Sequence, residues 1–207
     1  MVHSLYIHVP FCTQKCNYCS FYSVPRDGVE TGYFSLLERE LRAGAREAGC
    51  LETLYIGGGT PSCMPVDFVP RVLQAVRNSY AVAEDAEMTC EANPETLTPE
   101  KARAWSAAGV NRISLGVQSF DEAILTFLGR RHTAQQAERA VDAARQAGID
   151  NVSIDLIYAI PTQTMTVWER TLRRAAMLAL PHVSCYALSI DDGTPFAAMR
   201  ELSLIHI

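Results

Sequence analysis

No run of apolar residues in this 207-residue chain is long enough to cross a bilayer, so no membrane-spanning helix is expected. The opening residues Met1-Val2-His3-Ser4 lack a basic stretch, and the apolar segment after them is broken by His8, Pro10 and Cys12. A secretory signal is therefore not expected either. Basic charge is also in short supply. The formal net charge of -5 argues against broad electrostatic binding to nucleic acid or to an anionic membrane surface. The chain has no Pro/Ser/Glu bias, and with 48% hydrophobic and 20% charged residues it can bury one sizeable core. No low-complexity linker divides it, which suggests one domain. These absences together point to a soluble, cytoplasmic protein, where a disulfide framework is unexpected. The odd total of 7 Cys fits that reading. Cys50, Cys63, Cys90 and Cys185 are scattered and read as buried small hydrophobes.

What is present has a rhythm. Leu5 to Val9, Leu54 to Gly57, Met88 to Ala92, Arg112 to Val117, Val152 to Tyr158 and Val183 to Ile190 read as buried strands. Between them lie segments with helical spacing, such as Phe34, Leu37, Leu41 and Ala45, or Phe68, Val72, Ala75, Val76 and Ser79. Thr98 before Pro99 and Glu100, Ser119 with Glu122, and Thr133 with Gln136 supply N-caps, and Gly109 and Gly148 fall where helices should stop. Repeated βα steps imply parallel strands joined by crossover helices. A doubly wound open sheet and a βα-barrel both satisfy this order. The placement of polar residues at strand ends favours the barrel, and with six steps it is a partial (βα)6 TIM-type barrel in the α/β class.

Directly after the first strand, Cys12-Thr13-Gln14-Lys15-Cys16-Asn17-Tyr18-Cys19 puts three thiols in one short loop. Thiolates at this spacing favour zinc or iron-sulfur chemistry. A structural zinc site closes with four ligands, and the fourth would have to come from His8 or a distant Cys. A thioredoxin-like use of Cys16 and Cys19 leaves Cys12 unexplained. Three thiolates on an iron-sulfur cluster leave one iron open to a further ligand.

After the second strand comes Gly57-Gly58-Gly59-Thr60-Pro61-Ser62, which is either a tight turn or a place where backbone approaches a ligand. It is neither a Walker loop nor a dinucleotide fingerprint. Glu91 and Asn93 end the third strand, Gln118 ends the fourth, and Asp155 stands in the apolar fifth strand, where a carboxylate is costly unless paired or bound to a ligand. Arg130 is either an anion-steering group or a solvated loop residue, and His132 stands near a helix start.

The C-x3-C-x2-C motif with an aromatic before its last Cys, here Tyr18, resembles the radical S-adenosylmethionine superfamily. More narrowly, Tyr6-Ile7-His8-Val9-Pro10-Phe11-Cys12, Gly57 to Pro61, Glu91 to Pro94, Ser114 to Phe120 and Asp155 to Tyr158 are similar to the anaerobic coproporphyrinogen oxidase group. That resemblance runs from about Leu5 to Phe196. It implies a radical-SAM core and a [4Fe-4S] cluster on Cys12, Cys16 and Cys19. It also implies one or two S-adenosylmethionine molecules held by Tyr6, Tyr18, Gly58, Gly59, Thr60, Glu91, Gln118, Arg130, Asp155 and Ser189. Backbone at Gly58 and Gly59 would meet the methionyl amine or carboxylate, and Arg130 would pair with a carboxylate. In the family an electron from the cluster splits the sulfonium to give methionine and a 5'-deoxyadenosyl radical.

Two departures bear on the branch. Ser20-Phe21 follows Cys19 where the oxidases have a further Cys in a Cys-Gly-Cys pattern, and only a few residues precede Leu5. Both features resemble the HemW-like heme chaperones. That branch implies heme as a ligand, heme-accepting apoproteins and an electron donor as partners, and a cytoplasmic place with peripheral contact to the inner membrane as its variant. The alternatives are a coproporphyrinogen III oxidase acting on porphyrinogen propionates in porphyrin biosynthesis, and another radical enzyme such as a methyltransferase; whether the chain is an enzyme stays open. Residues 1-201 are expected to form the core domain. Residues 202-207 depart from the family as an atypical tail, and the family's carboxyl-terminal domain is expected to be missing.

Overall fold

The computed structural model describes residues 2-26 and 30-201; the expected tail at 202-207 lies outside them. Six strands form the main sheet: β1 (Val2–Val9), β2 (Ala48–Gly58), β3 (Val82–Ala92), β4 (Arg112–Gln118), β5 (Asn151–Tyr158) and β6 (His182–Ala187). All neighbours are parallel and the spatial order follows the chain order. A doubly wound sheet reverses its strand order at a switch point, and this one does not. Each crossover therefore moves one strand along on the same side, as in a barrel. The helices are α1 (Glu30–Gly44), α2 (Phe68–Ser79), α3 (Pro99–Ala108), α4 (Glu122–Phe127), α5 (Ala134–Gln146), α6 (Met165–Met177) and α7 (Pro195–Glu201).

The strands are longer than their apolar segments suggest at the start, and they alternate. Ile7, Val9, Leu54, Ile56, Cys90, Ile113, Leu115, Val152 and Ile154 are buried in one core with Val72 and Leu73 of α2, Trp105 of α3 and Val141 of α5. The opposite face is polar: register sets Tyr6, Tyr55, Thr89 and Arg112 in one row, and Glu91, Ser114, Ser153 and His182 in another. Closed βα-barrels fill their interior with Val, Ile and Leu. Here the inner face carries hydroxyls and charges, joined by bonds from Arg112 to Thr89 (3.2 Å) and Ser153 (3.3 Å) and from Ser153 to Ser114 (3.1 Å). The lumen is built to be wet or to hold a polar ligand.

Helix starts follow local chemistry, with one correction. Thr98 accepts from the Lys101 N–H, and Thr133 with Gln136 forms a full capping box. The cap of α4 is Asp121 and not Ser119: its carboxylate accepts from Ala123 and Ile124, while the Ser119 hydroxyl accepts from the Asp121 N–H. β6 ends at Ala187, short of the expected Ile190, where its partner β5 runs out: Tyr158 pairs with Ala187, and its carbonyl accepts from the Leu188 N–H at 2.8 Å. Cys63 and Cys90 are buried as expected, whereas Cys50 and Cys185 are exposed. Both lie on strands that meet solvent at those points, so their apolar neighbours in sequence misled.

A second, smaller apolar cluster of Ile124, Leu128, Ile157, Ile160 and Phe196 packs against Tyr18 and so supports the cysteine loop. Phe196 is fully buried, 4.9 Å from the Phe127 ring, and its N–H donates to the Asn17 carbonyl at 3.0 Å. Phe196→Ala is expected to cost about 3–5 kcal/mol, the range for truncating a buried Phe, read as a lower urea midpoint at unchanged slope.

Candidate cofactor site

The cysteine loop leaves β1 at Pro10 and is tied at both ends. Phe11–Cys12 pairs with Val24–Pro25, with Val24 N–H donating to Pro10 (2.7 Å) and Arg26 N–H to Cys12 (3.1 Å). Within it the Cys19 N–H donates to the Cys16 carbonyl at 3.2 Å, a turn that brings the last two thiols to one side. Asn17 anchors the middle: its N–H donates to Leu128 O (3.1 Å) and its Nδ2 to Phe127 O (2.9 Å). All three cysteines are free and half-buried, and all three line one pocket at the carboxyl ends of the strands. Burial pushes the Cys19 thiol up, and Cys16 and Cys12 push it the same way. Among the described residues no three Cys, His, Asp or Glu side chains converge as a single-ion site requires. Three separate thiols ringing a pocket suit a core of several irons, each offering its own ligand position.

The remaining walls come from strand ends. Gly58, Gly59, Thr60, Glu91, Gln118, Arg130, Asp155 and Tyr18 line the same pocket as the cysteines. Tyr6 is not among the lining residues: it is exposed, stacked on Tyr55 with ring centroids 5.9 Å apart, its hydroxyl 3.1 Å from His8 Nδ1. Ser189 is not brought in: it is exposed, past the end of β6. Asn93, Ser114 and Tyr186 line the pocket without having been singled out as ligand contacts. Their alternation with apolar neighbours along the strands was the available signal.

The glycine loop is a close approach of backbone to backbone. Gly59 N–H donates to Val9 O and Thr60 N–H to Phe11 O, each at 2.8 Å, and Gly58 N–H donates to Glu91 Oε2 at 3.0 Å. With its N–H groups committed, the loop offers acceptors to a ligand. That suits an ammonium better than the carboxylate allowed for above. Gly58 has φ +110, and a Cβ there would lie 2.6 Å from the His8 ring.

Two carboxylates face this space. Glu91 accepts from the Tyr55 hydroxyl (2.7 Å) and Gly58, and burial raises its carboxyl, those two bonds opposing. Asp155 is also raised by burial, against hydrogen bonds from Ser184 and Ser114. Gln118 carries φ 65, an uncommon conformation for a non-glycine, and accepts from the Tyr186 hydroxyl at 3.0 Å. Burial and Asp155 push that phenol up to about 12.

Arg130 is not solvated. Its Nη2 donates to Asn93 Oδ1 (2.7 Å) and Gly116 O (2.6 Å), and its Nη1 to Cys16 Sγ (3.5 Å). Behind it His132 is buried with Nε2 donating to Val117 O at 3.0 Å and Nδ1 facing Glu95 Oε2 at 3.4 Å. Burial pushes the Glu95 carboxyl up, but the neighbouring His132 ring and the Arg130 charge outweigh it and hold it below the ordinary range. A depressed carboxyl adds stability above its unfolded value near pH ~4.3, which is lost as pH falls through the folded value. Glu95→Gln is therefore expected to flatten the acid limb of melting temperature against pH below about pH 5, leaving a smaller loss than wild type on acidification.

An in-order parallel βα sheet with three half-buried thiols after its first strand is the arrangement expected of a radical S-adenosylmethionine protein. Residues 6–175 match the Radical SAM superfamily, and the chain belongs to it. Membership implies a [4Fe-4S] cluster and S-adenosylmethionine. The chain is 38% identical over 206 residues to the heme chaperone HemW of Lactococcus lactis, covering 99% of this chain and 54% of that protein. It is 41% identical over 202 residues to the heme chaperone HemW of Escherichia coli, covering 94% and 53%. The solved coproporphyrinogen III oxidase HemN of E. coli superposes with TM-score 0.87 at 30% identity, covering 96% of this chain and 46% of that one. The chain thus spans about half the length of the curated relatives it matches. Among the described residues no helix is long and apolar enough to cross a membrane.

Proposed function

We propose that this chain is the cluster-bearing core of a heme chaperone of the HemW type. In this reading Cys12, Cys16 and Cys19 hold the [4Fe-4S] cluster. Glu91, Asp155, Gln118 and the glycine loop position S-adenosylmethionine, and Tyr6 borders the nucleotide. The donor set fits: three free thiols converge on one pocket whose other walls supply acceptors for an ammonium and carboxylates for hydroxyls. When bound, the cluster supplies one electron to a sulfonium ligand. The chain's own residues orient that ligand and limit access by water, with Glu91 fixed by Tyr55 and Gly58.

Phe21 carries the choice between chaperone and oxidase: it stands where the Cys-Gly-Cys oxidase pattern has its further thiol, and it lines the pocket with an apolar ring. Ser20, at the glycine position of that pattern, donates its hydroxyl to Asp191 Oδ2 at 2.6 Å, tying the exit of the cysteine loop to the turn before α7. The names of the most similar relatives point the same way. Heme titration of the cluster-loaded protein is expected to saturate at about one heme per chain, with no protoporphyrinogen formed from coproporphyrinogen under anaerobic, reducing conditions. Turnover without stoichiometric heme binding would favour the oxidase.

A further inference from the structure

We infer that His132 is a positioning residue for S-adenosylmethionine: it holds the turn that aims Gln118 into the pocket. The inference rests on the reading that this pocket binds that molecule with Gln118 as one of its contacts. Gln118 stands in an unfavourable conformation. Its φ of 65 is closed by a hydrogen bond from the Ser119 N–H to the Val117 carbonyl at 2.8 Å, a three-residue turn of the strained γ type. The strand is irregular there as well. Leu115 pairs with Ile154 but Gln118 with Leu156, so β4 takes three steps where β5 takes two, a bulge of the kind that re-aims a side chain.

His132 braces this turn from behind. Its Nε2 donates to the same Val117 carbonyl at 3.0 Å, so one oxygen receives both the turn-closing N–H and the ring. A carbonyl only accepts, which fixes a hydrogen on Nε2. On the other edge Nδ1 faces Glu95 Oε2 at 3.4 Å, and the imidazole has none of its side-chain surface exposed. The backbone of His132 is held too. Thr133, next in the chain, closes the capping box of α5, and the Ala134 N–H donates to Glu122 Oε1 of α4 at 2.9 Å. His132 is absent from the pocket wall, whereas Gln118 lines it. The ring therefore acts on a ligand through the turn it braces.

Calorimetric titration of the cluster-loaded protein with S-adenosylmethionine tests this, with iron counted in each variant. His132→Leu is expected to weaken binding about tenfold, as loss of an outer support to a ligand contact does. His132→Gln, whose amide still reaches Val117, is expected to recover most of that loss. Gln118→Ala is expected to weaken binding by itself, and adding His132→Leu to it is expected to change little further, because the two residues act as one unit. Val141→Ala truncates a buried side chain of α5 away from the pocket, controls for lowered stability, and is expected to bind as wild type does. Fully additive losses, no recovery with His132→Gln, or an equal loss in Val141→Ala would overturn the inference. If His132→Leu fails to load its cluster, His132→Asn, too short to reach Val117, decides by the same criteria, and failure of both to load would overturn the inference in favour of a purely structural role. A loaded wild type that binds no S-adenosylmethionine would overturn the underlying site.

Discussion

Replacing Cys16 with alanine is expected to leave a folded protein that assembles almost no cluster, where wild type takes up about four irons per chain. Cys16 is the middle thiol of the loop and is half-buried in the pocket wall, facing Arg130. The pocket brings no fourth cysteine to replace it: Cys50 and Cys185 are exposed elsewhere, and Cys63 and Cys90 are buried among core residues. Cys50→Ala is the matched control and is expected to load as wild type does. Iron and sulfide analysis after anaerobic reconstitution checks both, with far-ultraviolet circular dichroism to show that the fold survives. Equal loading of the two variants would contradict the assignment.

Gly59→Ala is expected to be the most damaging single methyl in the pocket. A Cβ at this position would lie 2.7 Å from the Phe11 carbonyl oxygen, 2.9 Å from the Phe11 nitrogen and 2.9 Å from the Val9 carbonyl oxygen. These are backbone atoms, and both residues carry the bonds that lock the glycine loop to β1 and to the start of the cysteine loop. No side-chain rotamer can relieve the clash, so β1 and the loop must separate. Overpacking of this kind costs about 1–3 kcal/mol. Because the displaced backbone forms the pocket wall, S-adenosylmethionine binding is expected to weaken at least about tenfold, equivalent to about 1.4 kcal/mol. Calorimetric titration of the loaded variant measures it. At Gly58 the obstructing group is the His8 side chain. That ring is itself held at Nδ1 by Tyr6 and at Nε2 by the Tyr22 carbonyl, so Gly58→Ala is expected to lose nearly as much.

The parts of this site legible in the sequence are those whose chemistry is local. Three thiols in one loop need no fold to be seen together, and Thr98, Thr133 and Gly109 cap helices through neighbours a few residues away. The βα rhythm gave the strands but not their sheet, and the in-order parallel topology decided for a barrel-type winding. Where partners are distant the residues were silent. Arg130 could not be separated from a solvated loop arginine because its partners lie 114, 37 and 14 residues away. Ser119 looked like a cap because it precedes Glu122 by three, yet Asp121 is closer to the first free N–H groups and brings a charged acceptor. Ser189 was placed by resemblance on a strand that ends earlier. The polar lumen was hidden because short β-branched runs were read as buried on both faces, although Glu87, Thr89 and Glu91 already alternate with Met88 and Cys90.

The polar lumen and the cysteine loop make one structural unit. Ser114 donates to Asp155 at 3.4 Å, and Asp155, Glu91 and Gln118 line the same pocket as Cys12, Cys16 and Cys19. EPR of the dithionite-reduced, reconstituted protein before and after addition of S-adenosylmethionine tests most directly whether the thiols and the polar strand ends serve one ligand. A [4Fe-4S] signal whose g-values shift on addition is the predicted result, because the iron without a protein ligand takes one from the added molecule. A cluster signal indifferent to S-adenosylmethionine, or no cluster on these three thiols, would contradict it.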